Sequence, residues 1–394
     1  MLDMTLGALA ALVCFPSLIL AAEVLAASAL KSPVSRTWRP GRFLGPGTIA
    51  VIVPAHNEEA GIRQTLQDIA AQLRPCDRLL VVADNCTDDT AAVARAAGAE
   101  VSERQDPERR GKGYALDWGL RHLRQDPPET VVIIDADCRV APGSILPLAQ
   151  TAFAAGRPTQ ALYVMKSARE GQRRRVQELA WMLKNHVRPL GLARLGLPCQ
   201  LMGTGMAFPW QPLAAVDLAS GHLVEDVKLG LDLAARGRAA LFYPAAYVES
   251  TFPASETGII TQRQRWEIGS TRTLVQEAPR ALWRGLRTGN RDLLALALDL
   301  LVPPLSLLSA VVGLVWLACA AAALVGYGLM PLLLATIAGL LTAGSLTLAW
   351  ARFGRRILGV RDLPELAGHL MQKVRIYRRL GHLPEWIRTD RSRG

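Results

Sequence analysis

VVIIDADCR, residues 131–139, is the stretch on which the fold of this chain depends. Its four β-branched apolar residues have the length of a buried strand, and the run stops at Asp135 and Asp137. Ligands of open α/β sheets bind beyond the carboxyl ends of the strands, so we expect both carboxylates to face that crevice. Carboxylates there suit a hard divalent cation, Mg²⁺ or Mn²⁺. The alternative is a pair of solvated turn aspartates.

The segments before this stretch alternate between strand and helix patterns. Residues 48–53 (TIAVIV) and 78–83 (RLLVVA) have the composition of buried strands. Apolar residues recur at helical spacing over 62–73, and further helices are predicted over 90–98 and from Tyr114 onward. Strands that alternate with helices predict a parallel sheet with right-handed crossovers, which is an α/β fold.

Three other stretches are apolar and long enough to cross a bilayer as helices. They are Leu6–Ala22, Leu305–Leu324 and Met330–Trp350. A cleavable signal peptide is the alternative for the first, since 27–29 (ASA) imitates a cleavage site, but Asp3 and the lack of Lys or Arg before the apolar run argue against it. We therefore predict one amino-terminal and two carboxy-terminal transmembrane helices.

The net charge of +11 is concentrated beside these stretches. Basic residues gather at 31–42, 352–356 and 373–379. By the positive-inside tendency, the middle segment and the tail face the cytoplasm, and the protein is expected to be a multi-pass protein of the inner (cytoplasmic) membrane. The basic excess suits anionic membrane lipids as partners.

Other partners are not indicated. The sequence has no zinc-finger spacing and no interleaving of aromatic and basic residues, so a nucleic acid partner is not expected. The six cysteines form no Cys-x-x-Cys pair, which is typical of reduced thiols and excludes a disulfide framework. No particular protein partner follows from the residues.

Four motifs occur in a fixed order along the first half of the chain. They are 54–59 (PAHNEE), 81–90 (VVADNCTDDT), 111–116 (GKGYAL) and 135–137 (DAD). In this order they resemble the nucleotide-sugar half of family 2 glycosyltransferases, which implies the Rossmann-like GT-A fold. The second motif has Ala83-Asp84 where that family more often has two adjacent aspartates.

The resemblance implies roles for individual residues on the donor side. Carboxylates after the first two strands hold base and ribose, the Asp-x-Asp pair holds a divalent metal on the diphosphate, and a lysine lies near base and phosphates. The implied metal ligands are Asp135 and Asp137. The implied donor-binding residues are Pro54, His56, Glu58, Asp84, Lys112, Asp135, Ala136, Gln262 and Arg265.

The second half carries the motifs for acceptor and catalysis. By resemblance, Gly203, Thr204 and Gly205 line the acceptor side. Glu225 and Asp226 match a pair in inverting enzymes, in which the aspartate is the general base and the glutamate shapes the site. The alternative is that these two acidic residues only favour the start of a helix.

Residues 262–266 read QRQRW, a Gln-x-x-Arg-Trp motif. It resembles the membrane-bound branch of family 2, which includes cellulose, chitin and hyaluronan synthases and ceramide glucosyltransferases. By that resemblance Arg265 holds the donor diphosphate and Trp266 lies under the acceptor sugar. An amphipathic interfacial helix is the alternative, because Arg and Trp are common near membranes.

The sequence thus predicts a membrane-bound inverting glycosyltransferase of the hexosyltransferase type. It would move a sugar from a nucleotide sugar, expected to be a UDP-sugar, to a lipid-linked, glycan or glycolipid acceptor in polysaccharide or glycolipid synthesis. The alternatives are a short processive synthase, favoured if 293–302 belonged to an extra span, and a catalytically silent nucleotide-sugar-binding scaffold. The predicted segments are an amino-terminal span (1–30), a linker (31–47), the catalytic domain (48–279), an interfacial helix region (280–304), two spans (305–352) and a basic tail (353–394).

Overall fold

The computed structural model describes residues 2–29, 47–167, 172–219, 224–252, 262, 266 and 269–359. The predicted linker before 47, Arg265 and the basic tail after 359 lie outside the described residues. The elements of the first half are α1 (Leu2–Ala29), β1 (Ile49–Ala55), α2 (Ile62–Ala70), β2 (Arg78–Asp84), α3 (Thr90–Ala96), β3 (Glu100–Arg104), α4 (Lys112–Leu123), β4 (Thr130–Ile133), β5 (Arg139–Val140), α5 (Ile145–Ala155) and β6 (Thr159–Lys166).

The second half begins with a helix that has a π-helical turn in its middle: α6 (Gln172–Met182), π1 (Leu183–Val187) and α7 (Arg188–Arg194). It continues with β7 (Met206–Pro209), α8 (Trp210–Ala214), α9 (Glu225–Ala235), β8 (Leu241–Thr251), the π turn π2 (Thr273–Glu277), α10 (Ala278–Thr288), α11 (Arg291–Leu300), α12 (Leu305–Leu324), α13 (Met330–Ala349) and π3 (Trp350–Gly354).

The strands form one eight-stranded sheet in the order β3-β2-β1-β4-β7-β6-β8-β5. The first four strands in this order are parallel, as the sequence predicts. The remaining half is mixed, because β7 runs antiparallel to both β4 and β6, and β5 runs antiparallel to β8. The parallel half places the ends of β1, β2 and β4 along one edge.

Both faces of the parallel half are buried. Along β4, Val131 and Ile133 join the apolar cluster on one face, and Val132 and Ile134 join the cluster on the other. Successive side chains of a strand point to opposite faces, so a strand with helices on both sides needs an unbroken apolar run. This explains why the run in 131–134 ends only where the chain leaves the sheet.

Three helices in the described residues are long and apolar enough to span a membrane: α1, α12, and α13 with π3. They agree with the three predicted spans. The helices α1 and α13 pack along each other, and Ser17 of α1 lies within hydrogen-bond distance of Thr342 of α13, at 2.9 Å between hydroxyl oxygens.

The segment 280–299, predicted as one interfacial helix, forms two. The helix α10 ends at Gly289, which has φ +63°, and Asn290 starts α11 by accepting a hydrogen bond from the backbone N–H of Leu293 at 3.0 Å. At 1.5 Å per residue, the ten residues of α11 are about 15 Å long, half the thickness of a bilayer core. The helix α11 by itself is therefore too short to cross the bilayer.

Candidate active site

Residues from three distant segments meet at the carboxyl end of β4. The Lys112 ammonium, at the start of α4, forms an ion pair with Asp135 and donates a hydrogen bond of 2.7 Å to the carbonyl oxygen of Gly203. The backbone N–H of Asp135 donates to the hydroxyl of Thr204 at 3.0 Å. The structure thus brings four residues, predicted from three separate motifs, into direct contact. Asp137 is half-buried two residues further on.

The turn that contains Gly203 and Gly205 lies against the predicted general base. Gly203 has φ +88° and Gly205 has φ +66°, a region that favours glycine. A Cβ at Gly203 would lie 3.5 Å from Oδ2 of Asp226 and 3.8 Å from Nζ of Lys112. Because both distances are short, the acceptor-side turn, the Asp226 carboxylate and the Lys112 ammonium share one small volume.

Glu225 and Asp226 are half-buried at the first turn of α9. Burial, and then the neighbouring Asp226 carboxylate, raise the pKa of Glu225 to about 7, while Lys112 opposes that rise. Burial also raises the pKa of Asp226, again opposed by Lys112. Oδ1 of Asp226 accepts a hydrogen bond from the Val227 N–H at 2.8 Å, which fixes the side chain at the helix start.

Lys112 carries the positive charge of this cluster. Burial lowers its pKa, but the negative charges of Asp135, Glu225 and Asp226 outweigh burial, and the pKa of Lys112 is raised. The ammonium is therefore charged at neutral pH. One ammonium among three carboxyl groups leaves an excess of acidic groups, which favours a further cation at this position.

The end of β2 forms a second polar cluster. The Asp84 carboxylate is buried and forms an ion pair of 2.6 Å with Nη1 of Arg104, its register partner on β3. Arg104 also pairs with Asp106 at 2.9 Å, and its guanidinium lies 5.5 Å from the ring centroid of Tyr114. The sequence alone did not predict a role for Arg104. Its position at the end of the third strand, next to a strand that ends in aspartate, could have indicated it.

The other predicted donor-side residues follow the same edge. Nδ1 of His56 lies 2.7 Å from the carbonyl oxygen of Asp84, and the backbone N–H of Glu58 donates to the Thr90 hydroxyl at 2.8 Å. Pro54 is the register partner of Val82 near the end of β1, and the Ala136 carbonyl accepts from the Thr65 hydroxyl at 2.7 Å.

An aromatic group occupies the side of the sheet next to β6 and β8. The Trp181 ring centroid lies 4.7 Å from that of Trp266, 5.5 Å from that of Tyr163 and 6.5 Å from that of Phe252. Gln262, of the same motif as Trp266, is buried. Sequence reasoning predicted Trp266 but missed Trp181, which the sequence shows only as an apolar residue of a helix.

The donor-side residues fit a divalent cation that is shared with substrate. The described residues include no group of three or more His, Cys, Asp or Glu side chains that could hold a metal alone. Mg²⁺ and related cations are commonly held by one or two carboxylates together with substrate phosphates. Asp135 already attracts a cation, the Lys112 ammonium, so its carboxylate is aimed at a position where positive charge is favoured.

Comparison with known families identifies the family of the chain. The model of the glycosyltransferase-like family 2 matches residues 46–269, more than half of the chain. The chain belongs to this family. The matched region of this family 2 member contains every residue predicted from the resemblance, from Pro54 to Trp266, and confirms the family that the ordered motifs predict.

Individual relatives cover smaller parts of the family 2 chain. The glucosyl-3-phosphoglycerate synthase of Mycobacterium tuberculosis is 39% identical over 119 residues, which are 27% of this chain and 36% of that protein. The low-salt glycan biosynthesis hexosyltransferase Agl6 of Haloferax volcanii is 37% identical over 93 residues, 23% of this chain and 21% of that protein. These matches span about a third of the curated relatives or less.

A solved structure shows the same fold over most of the family 2 chain. The mannosyltransferase PcManGT of Pyrobaculum calidifontis, solved in complex with GDP-Man and Mn²⁺, is 22% identical and has a TM-score of 0.57. The likeness covers 89% of this chain and 98% of that chain. The predicted α/β GT-A fold is confirmed.

Proposed function

We propose that this protein is a membrane-embedded, metal-dependent inverting glycosyltransferase that moves a hexosyl unit from a nucleotide sugar to a lipid-linked or glycolipid acceptor. The observation that supports this most is the contact of Lys112 with Asp135 and Gly203, directly beside Asp226. It unites the residues predicted for the leaving diphosphate with the residue predicted for the attacking hydroxyl.

Asp226 acts on the acceptor. Its carboxylate takes the proton from the acceptor hydroxyl as that oxygen attacks the anomeric carbon from the face opposite the diphosphate, which inverts the configuration. The nearby ammonium of Lys112 favours the ionised form of Asp226. Glu225, whose pKa is about 7, supplies a second carboxyl group that shapes this volume.

The leaving group needs positive charge. Asp135 and Asp137 would hold the divalent cation, which when bound neutralises charge that develops on the diphosphate. Lys112 contributes a protein-borne cation next to this site and stabilises the departing diphosphate. Arg104 and Asp84 lie at the neighbouring strand end, where base and ribose are expected.

The position of the aromatic group supports an acceptor at the membrane. The His186 ring of π1 lies 5.7 Å from the Phe353 ring of π3, at the end of the third candidate span. The helix that carries Trp181 therefore touches an element continuous with α13. Two carboxy-terminal spans favour a single transfer over a polymer channel. The distribution of basic residues supports a cytoplasmic catalytic domain on the inner membrane.

The test is release of nucleoside diphosphate by the purified full chain. UDP- and GDP-sugars are supplied in turn with Mg²⁺ or Mn²⁺, with and without a total lipid extract of the producing cells. We expect release from one donor, stimulated by lipid and reduced about 10²- to 10⁴-fold in Asp226→Asn, as for loss of a general base. The matched control is Asp232→Asn on the same helix, where Asp232 pairs with Lys228 at 2.6 Å. Donor binding without release in the presence of lipid would instead support a silent scaffold.

A further inference from the structure

One continuous helix connects the aromatic group to the first candidate span. The segments α6, π1 and α7 follow each other without a break, because the residues on both sides of the π turn, Met182 and Arg188, have right-handed helical dihedral angles. We call the whole segment 172–194 the connecting helix. A π turn inside an α-helix is rare and is often found at functional sites.

The amino-terminal half of the connecting helix faces the sheet. Trp181 packs against Trp266 and Tyr163, and Nζ of Lys184 lies 5.7 Å from the Trp181 ring centroid. Asn185, inside the π turn, is buried and donates a hydrogen bond of 3.3 Å to the carbonyl oxygen of Tyr163. This half is therefore held to β6 at the place where Trp266 is presented.

The carboxyl-terminal half is held by a buried cluster of three ionisable side chains. Nε of Arg188 lies 2.6 Å from Oε2 of Glu23 in α1, and Nη2 lies 2.6 Å from Oδ1 and 2.7 Å from the carbonyl oxygen of Asp299 in α11. The exposed fractions of Glu23, Arg188 and Asp299 are 2%, 7% and 8%. One guanidinium thus joins the candidate span, the connecting helix and α11.

The helices α7 and α1 approach each other closely at Gly191. A Cβ at Gly191 would overlap the backbone carbonyl of Glu23, so the two helices touch backbone to backbone there. One turn further on, Arg194 donates a hydrogen bond to the carbonyl oxygen of Ala27. These two contacts keep α7 beside α1, and Arg188 adds the hydrogen bonds that join both helices to α11.

The π turn allows one helix to serve both contacts. Trp181 and Arg188 are seven residues apart, so an uninterrupted α-helix would place them on nearly the same face. A π turn inserts the equivalent of one extra residue and changes the rotation by about 100°. Trp181 can then face β6 while Arg188 faces α1 and α11.

We infer that Arg188 is a positioning residue that sets the height of the Trp181–Trp266 pair relative to the membrane, and thereby the place at which a membrane-bound acceptor meets Asp226. The inference rests on the proposed function. The hydrophobic attraction between helices is non-directional. Hydrogen-bonded charge pairs are directional, and buried ones contribute little net stability compared with apolar residues of equal volume. A buried cluster that joins three segments is therefore better explained by positioning than by stability.

The kinetic test uses a variant with no charge in the cluster, Glu23→Gln/Arg188→Met/Asp299→Asn, because removal of Arg188 alone would leave two buried carboxylates unpaired. Full-length protein in vesicles of phosphatidylcholine mixed with the total lipid extract is assayed with the donor from the release assay. We expect the apparent KM for the extract to rise about tenfold or more, with the donor KM within twofold of wild type. The single variant Arg188→Lys keeps a positive charge in the cluster, so its apparent KM for the extract should rise less than that of the uncharged variant.

The matched control is Arg157→Met. Arg157 pairs with Asp292 at 2.9 Å and so also anchors α11, and its side-chain hydrogen bonds within the described part of the chain go to Asp292 and to the carbonyl oxygen of Ala239 rather than to the connecting helix. We expect this variant to leave the KM for the lipid extract unchanged. Equal changes in donor and acceptor KM in the uncharged variant, or the same acceptor defect in Arg157→Met, would overturn the inference and indicate a purely structural cluster.

Hydrogen exchange provides a readout that needs no acceptor. In the uncharged variant, we expect faster exchange of the amides of residues 181–187, while Arg157→Met keeps the wild-type rate there. Unchanged exchange in 181–187 would contradict the inference. If wild-type protein released no nucleotide from any donor, the proposed function would fail, and the exchange comparison would still decide whether Arg188 controls the connecting helix.

Discussion

The ammonium of Lys112 donates a hydrogen bond of 2.7 Å to the carbonyl oxygen of Gly203, and this bond joins a residue predicted to bind the donor to one predicted to line the acceptor side. The same ammonium pairs with Asp135, which is expected to bind the metal. Lys112 therefore supplies the positive charge at Asp135 before substrate is present. In the absence of nucleotide, a divalent cation would have to compete with the Lys112 ammonium for Asp135. When a diphosphate binds, it would attract the ammonium away from Asp135.

Lys112→Met is expected to bind Mn²⁺ more tightly than wild type in the absence of nucleotide. Removal of the ammonium leaves Asp135 without its cation, and a gain of about tenfold corresponds to about 1.4 kcal/mol, the size of one partly screened charge pair. The same variant is expected to lose activity, since a cation beside the diphosphate is gone. Electron paramagnetic resonance of free Mn²⁺, with and without UDP or GDP, measures the affinity.

The matched lysine for this comparison is Lys228, which pairs with Asp232 on α9 in the same cavity. Lys228→Met should keep the wild-type affinity for Mn²⁺. Equal or weaker Mn²⁺ binding by Lys112→Met would show that Lys112 and the metal do not compete for Asp135.

Gly203→Ala is expected to lower kcat, and this loss should not be explained by its effect on thermal stability. The backbone at φ +88° costs a residue with a Cβ about 1–2 kcal/mol, and the new methyl group would lie 3.5 Å from Oδ2 of Asp226, in van der Waals contact with the base. Gly237→Ala is the control, because Gly237 also has a positive φ, +74°, and has no atom within 4 Å of its Cβ position. Thermal unfolding should shift similarly in both variants, and nucleotide release should fall only in Gly203→Ala. A similar fall in both would mean that backbone strain alone accounts for the loss.

The parallel half of the fold and its strand-end aspartates follow from local sequence. A strand that is buried on both faces must be apolar throughout. The unbroken apolar run 131–134 therefore predicts a strand buried on both faces, and Asp135 marks its end. The three spans are predictable for the same reason. In each case the information lies in consecutive residues.

Contacts between distant segments were not predictable in this way. The insertion of β7 beside β4 reverses part of the sheet, and no local pattern encodes which strand becomes its neighbour. From the sequence alone, Arg188 would be predicted to face solvent, because it interrupts an apolar helix pattern. Only the folded structure shows that it pairs with Glu23 and Asp299. The pairing of Trp181 with Trp266 likewise depends on topology, and only the family resemblance indicated one of the two rings.

Glu225→Gln is expected to stabilise the substrate-free protein, and more at pH 8 than at pH 5. The pKa of Glu225 is raised from 4.5 to about 7, so the folded state binds more protons than the unfolded state between these values. Stability is therefore lost as the pH rises from 4.5 to 7, and a neutral amide avoids this loss. We expect an increase in Tm of about 3 °C at pH 8 and little change at pH 5, measured by thermal unfolding in detergent. A Tm gain of the same size at both pH values would contradict ionisation of Glu225 as the cause.

Arg104→Met is expected to destabilise the fold by about 3–5 kcal/mol, because it leaves the Asp84 carboxylate buried without its ion pair. The control is the ion pair of Arg95 with Glu103, which neighbours Arg104 on β3: both side chains are about half exposed, and such surface pairs contribute about 0–1 kcal/mol. Chemical denaturation should therefore separate Arg104→Met clearly from Arg95→Met. If Asp84 also contacts the donor, the double variant Arg104→Met/Asp84→Asn should be more stable than Arg104→Met, while its KM for the donor should stay above the wild-type value. Recovery of both would assign the Asp84–Arg104 pair to folding alone.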